Sequence, residues 1–187
     1  MKTPKTLAVL AAALLAGTAA QADGLPPGML ITGHVSGASS TLLGLDHGFA
    51  DEPGSNTTAL AAADLEFMTD DFAVAVDFFS DGHIEVWNNS GAASLAGSYT
   101  LTFEFAGLGQ AVGSFAALDV SSLNGGNVSF QVLSPNSVSL SFTNLSFSGE
   151  FGSFKAQIGV VPEPASAALL GAGLGLLALR RARRAAA

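Results

Sequence analysis

Cysteine is absent from the 187 residues. That removes disulfide staples, thiolate metal sites and cysteine nucleophiles, so any exported domain in this chain must be held by its core. Positive charge is almost as scarce. The chain has 7 basic and 15 acidic residues, and six of the basic ones (Lys2, Lys5, Arg180, Arg181, Arg183 and Arg184) lie near the two ends. Between Asp23 and Val160 only Lys155 opposes fourteen acidic residues, a net charge of −13. Such a surface excludes nucleic acid as a partner, because phosphate binding needs a basic face. It favours solubility, and it leaves divalent cations or basic surfaces as possible partners. Tryptophan and tyrosine occur once each, as Trp87 and Tyr99, whereas phenylalanine occurs 13 times. Helical periodicity is missing between residues 23 and 160, and no GxSxG elbow, HExxH, phosphate loop or DxDxDG calcium loop occurs.

The two ends are the most legible parts. Lys2 and Lys5 precede an apolar stretch, Leu7–Ala16, and Ala20-Gln21-Ala22 has the small-x-small form of a cleavage site. This predicts a signal peptide over residues 1–22 and a mature chain from Asp23. At the other end Val161-Pro162-Glu163-Pro164 is followed by Ala165–Leu179, which carries no charge, and then by Arg180, Arg181, Arg183 and Arg184. Fifteen helical residues reach roughly 22 Å, short of the roughly 30 Å hydrocarbon core. The segment is therefore predicted to be a marginal, single membrane helix, with its arginines cytoplasmic and able to snorkel. Pro162 and Pro164 stop the helix from extending outward and leave Glu163 in an extended, accessible stretch. Both ends demand one topology, in which the middle of the chain is exported.

The motif, apolar segment and arginine cluster, in that order, resemble the PEP-CTERM sorting signal of Gram-negative bacteria. The resemblance covers residues 161–187, about one seventh of the chain. It implies Sec-dependent export and signal-peptidase cleavage, then transient anchoring in the inner membrane. It also implies processing near Val161–Pro164 by exosortase, a membrane-embedded cysteine-dependent protease, and an association with exopolysaccharide and biofilm matrix. No family is recognised in residues 23–160.

That middle segment reads as β structure. Tyr99, Leu101, Phe103 and Phe105 alternate with polar residues, as do Val128, Phe130 and Val132, and Val138, Leu140 and Phe142. After Phe142 the apolar phase slips by one, to Leu145, Phe147 and Phe151, which predicts a turn or bulge at Thr143-Asn144. Asp81-Gly82 between Phe72–Phe79 and His83–Trp87 predicts a hairpin. Asn124–Asn127 reads as another turn, Met29–Val35 as a first strand, residues 39–58 as a long loop, and Gly107–Gly109 as a loop. Eight to ten short strands in a 138-residue domain suggest an all-β, antiparallel β-sandwich, jelly-roll-like in topology.

Within it, the acidic pairs Asp51-Glu52 and Asp70-Asp71 could supply calcium ligands at a sheet edge. Trp87, on the polar phase beside Asn88 and Asn89, is a candidate aromatic platform for sugar. His34, His47 and His83 have no metal-site spacing and read as surface residues. The reading that follows is a non-enzymatic exported surface or matrix protein, with a carbohydrate- or calcium-binding module as the alternative and a secreted hydrolase ranked third.

Overall fold

The computed structural model describes residues 24–61, 64–161 and 173. The signal peptide with Ala20 and Ala22, the motif residues Pro162, Glu163 and Pro164, and Arg180, Arg181, Arg183 and Arg184 lie outside the described residues. Among the described residues no helix is long and apolar enough to cross a membrane.

Among the described residues eleven strands follow one another: β1 (Leu30–Gly37), β2 (Leu42–Gly44), β3 (Thr57–Ala59), β4 (Phe67–Thr69), β5 (Val74–Phe78), β6 (His83–Asn88), β7 (Ser94–Ala106), β8 (Ala111–Asp119), β9 (Leu123–Ser134), β10 (Ser137–Phe147) and β11 (Ser153–Val161). They form two antiparallel sheets, ordered β3-β1-β7-β10-β9 and β2-β4-β5-β6-β11-β8. The chain is thus an all-β sandwich. Its core lies between the inner faces of the sheets, where alternate residues of each strand meet. Phe103 sits at the middle of it, fully buried, with its ring centroid 4.9 Å from that of Phe78 and 5.6 Å from that of Phe67. Tyr99, Leu101, Phe105, Val138, Leu140, Phe142, Phe154, Ala156 and Ile158 extend the same layer.

The alternating segments fold as their pattern predicts. Asp81-Gly82 turns β5 into β6, with Gly82 at φ 87°, a conformation that costs glycine little. The phase slip after Phe142 is a bulge: the β7–β10 register shifts between Thr143 and Leu145, and Asn144 takes φ 47°. Gly107–Gly109 is the loop between β7 and β8.

Four expectations change. Asn124–Asn127 is not a turn but part of β9. The chain reverses at Ser121-Ser122 instead, where the Asp119 carboxylate accepts the Ser121 N–H at 2.9 Å. The glycines serve a close approach, since a Cβ on Gly126 would stand 2.7 Å from the Asn144 carbonyl oxygen. Residues 39–58 are not one loop. They hold β2, a 3₁₀ turn at Leu45–His47 and the start of β3, strands of three residues each and too short for alternation to register. Phe72 stands outside β5, and Phe151 outside the core. Both adopt left-handed backbone and are exposed.

Candidate functional site

Trp87 leaves β6 on its outer face because Val86 and Asn88, on either side, point into the sandwich and are buried. Trp87 is 37% exposed, on the polar phase that the alternation indicates. Register places Ala75 of β5 on one side of Trp87 and Ser153 of β11 on the other. The start of β5, the end of β6 and the start of β11 therefore share one end of the sheet.

Two phenylalanines flank this strand end. Phe72 precedes β5 and Phe151 precedes β11. Each is 54% exposed, with φ 57° and 53° respectively. Left-handed backbone is costly for a bulky aromatic, on the order of 1–3 kcal/mol, and persists only where neighbours over-determine it. The neighbours are identifiable. The Phe72 carbonyl accepts Asn89 Nδ2 at 2.8 Å, and the Ala73 carbonyl accepts the Asn89 N–H at 2.8 Å. On the other side the Asn88 N–H donates to the Gly152 carbonyl at 2.9 Å. Asn88 folds its side chain into the turn beyond, donating to the Ala92 carbonyl at 2.7 Å and accepting from Ser90 Oγ at 2.7 Å. Asn88-Asn89 thus ties both phenylalanine turns to the end of the tryptophan strand. The sequence singled out Trp87 and its two asparagines. It missed Phe72 and Phe151 as site residues, although Gly149 and Gly152 around Phe151 carry a turn signal.

The acidic residues chosen as calcium ligands occupy two separate depressions. Asp51 and Glu52 line one with His34, Ser40 and Asn56, and Asp70 and Asp71 line the other with Gly37 to Ser40. The carboxylates of Glu52, Asp70 and Asp71 are engaged by protein groups. Asp70 accepts from the hydroxyls of Ser39 and Ser40, and the Ser39 bond is the main cause that holds its pKa low. Asp71 accepts from Thr69 Oγ1 at 2.5 Å, the Ala73 N–H at 3.1 Å and the Tyr99 hydroxyl at 2.9 Å. Burial, then the bond to Asp71, pushes Tyr99 up to about 12. Glu52 Oε1 accepts from His47 Nδ1 at 2.8 Å. Among the described residues no three histidine or carboxylate groups come together as a metal-holding set. His34 is exposed, and His83 pairs with Asp81 at 2.6 Å.

A second polar feature, absent from the sequence analysis, crosses the outer face of the larger sheet. Glu66 immediately precedes Phe67, which pairs with Val76, so it comes alongside Asp77. Asp77 pairs with Glu85, Glu85 with Lys155, and Lys155 with Asp119. Glu66 is fully buried and accepts the N–H groups of Ala61 at 2.9 Å and Phe78 at 2.7 Å. Burial, opposed by those two bonds and aided by Asp77, raises it to about 7. Burial likewise raises Asp77. Glu85 is held by Ser153 Oγ at 2.5 Å and Lys155 Nζ at 3.3 Å. Within this row Glu66 and Glu85 are buried, Asp77 and Lys155 are half-buried, and Asp119 is exposed.

No protein-family model, curated protein or solved structure matches this chain.

Proposed function

We propose that this chain is an exported protein of the cell surface or extracellular matrix, sorted by its C-terminal segment and acting without catalysis. The observation that carries this is the arrangement at the C-terminus. β11 ends at Val161, which is 49% exposed, and Val161 is also the first residue of the Val161–Pro164 motif. The uncharged segment and the arginines follow in sequence. The steps are Sec export, signal-peptidase cleavage after Ala22, transient anchoring by Ala165–Leu179, recognition of Val161–Pro164 by exosortase, and release or transfer into the exopolysaccharide matrix.

The fold is compatible with that sequence of events. Only Pro162, Glu163 and Pro164 separate the strand end from Ala165, a reach of about 10 Å when extended. While anchored, the sandwich would rest close to the periplasmic face of the membrane, with the β11 terminus toward it. Phe72, Trp87 and Phe151 lie at the opposite end, where β11 begins. A nine-residue strand puts roughly 30 Å between the two ends. The aromatic end then points away from the bilayer. The jelly-roll reading of the sandwich is supported by β7 beside β10 in one sheet and β6 beside β11 in the other, with the chain crossing between sheets at Ser121-Ser122.

A carbohydrate-binding role is the second reading, favoured by the two exposed phenylalanines in strained backbone on either side of Trp87. Aromatic faces carry apolar contact area, and Asn89 and Ser153 border them with polar groups. Exopolysaccharide should quench or shift Trp87 emission, and an unchanged spectrum at saturating polysaccharide would remove this role. The sorting step has its own test. Glu163→Gln with Pro164→Ala should leave an uncleaved product in the inner membrane. Release of that variant at the normal rate would contradict the proposal.

A further inference from the structure

The two flanks of the sandwich differ. On one, the edge strands β2 and β3 have three residues each. They are guarded: the Asp46 carboxylate accepts the Ala59 N–H at 2.8 Å, and the Ser55 carbonyl accepts the N–H of Gly44. On the other flank the edges are long. β8 has nine residues and β9 has twelve, and among the described residues each is hydrogen-bonded to a neighbouring strand on one side only. β9 is the longer edge, about 40 Å at 3.4 Å per residue. It contains no charged residue and no proline, two of the devices that blunt an edge, and its register with β10 runs unbroken from Asn127 to Val132, between irregularities nearer its two ends.

Charge divides along the same line. Ten of the fourteen acidic residues fall between Asp46 and Glu85, in and around β2 to β6. From Phe105 to Gly149 the only charged residue is Asp119. A domain with net −13 repels its own copies in most orientations. Through the β8–β9 flank the repulsion is least, because Asp119 is the only acid there and the Asp46–Glu85 cluster points away on both sides. The same flank carries exposed Leu118, Val120 and Leu133, and a groove of about 410 Å³ lined by Ala117, Val120, Leu123, Val128 and Phe130.

We propose that β9 is a homotypic interface. Two copies pair edge to edge, with β9 antiparallel to β9 of the second copy about a two-fold axis, so that the two five-stranded sheets become one of ten. Identical strands meeting antiparallel are self-complementary. Val128, Phe130 and Val132 fall on the inner face of both copies, and Asn127, Ser129 and Gln131 on the outer face. The occupant is a second copy rather than a foreign strand because neutrality on an otherwise acidic molecule matters most to that molecule's own approach.

The absence of cysteine makes the test clean. Asn127→Cys, Ser129→Cys and Gln131→Cys in the full chain, each alone and in pairwise mixtures, are oxidised mildly in detergent. Ala50→Cys on the acidic flank serves as control. Expected is a disulfide-linked dimer for one or two of these positions or mixtures, set by the register, and none for Ala50→Cys. Ser129→Lys with Gln131→Lys, surface changes that leave the core untouched, should convert a sedimenting dimer to monomer while circular dichroism stays unchanged. Three results would overturn the proposal: a monomer at the highest soluble concentration with no crosslink at any β9 position, crosslinking equal at Ala50→Cys, or capture at β9 of a different protein only.

Discussion

Asn144 Oδ1 accepts the N–H of Gly97 at 2.9 Å, across the β7–β10 pair and at the point where its register shifts. Asn144 makes this bond from φ 47°, a conformation that asparagine tolerates better than most residues. Asn144→Ala loses the bond and keeps the awkward backbone. It should cost about 1–3 kcal/mol in denaturant unfolding. Asn144→Gly relieves the backbone and should cost less than the alanine variant. Equal losses for the two would show that backbone conformation contributes nothing at this bulge.

Phe103 is fully buried against Phe67 and Phe78 at the centre of the sandwich. Phe103→Ala should destabilise by about 3–5 kcal/mol. Phe72→Ala and Phe151→Ala, which remove exposed rings, should cost under about 1 kcal/mol. A large loss from either exposed ring would mean that it packs as core and is not held out for contact.

Glu66 predicts an unusual pH profile. Its folded-state pKa of about 7 lies above the ordinary 4.5. Below pH 4.5 both states hold the proton, and the stabilising effect is whole. Between 4.5 and 7 the unfolded chain releases the proton first, so stability falls as pH rises, then levels off. The drop should be on the order of 1–3 kcal/mol. Melting temperature should therefore be higher at pH 5 than at pH 8. Glu66→Gln should flatten the profile and be less stable than the parent at pH 5, because one of the two N–H groups loses its acceptor. A parent profile rising from pH 5 to 8 would refute this assignment.

The carboxylates of Asp70 and Asp71 are occupied by serine, threonine, tyrosine and backbone donors. Chelation with EDTA should accordingly leave the melting temperature unchanged, and added calcium should raise it no more than magnesium does. A selective calcium shift lost in Asp70→Asn would establish an ion site at that depression.

How far the sequence reaches depends on the length over which a pattern is expressed. The alternation of Tyr99 to Phe105 and of Val138 to Phe142 spans enough residues to identify strand and inner face, and a break in that period marks the bulge at Asn144. β2 and β3 are three residues each, too brief for any period. Gly125-Gly126 looks like a turn because glycine suits both turns and close approach, and only the neighbouring Asn144 carbonyl distinguishes them. Of the candidate site, the outward phase of Trp87 was legible. Phe72 and Phe151 were not, since they reach it through strand pairing of β6 with β5 and β11. Glu66 was illegible for the same reason: its burial and its neighbour Asp77 come from cross-strand position, not from local pattern.

The sorting claim is tested most directly by the intact mass of the exported protein, taken from a host with its exosortase and from the same host without it. The account predicts a product that begins at Asp23 and ends near Val161–Pro164, formed only when exosortase is present. A product that keeps Arg180–Ala187 in both hosts would make the C-terminal segment a permanent anchor and contradict the account.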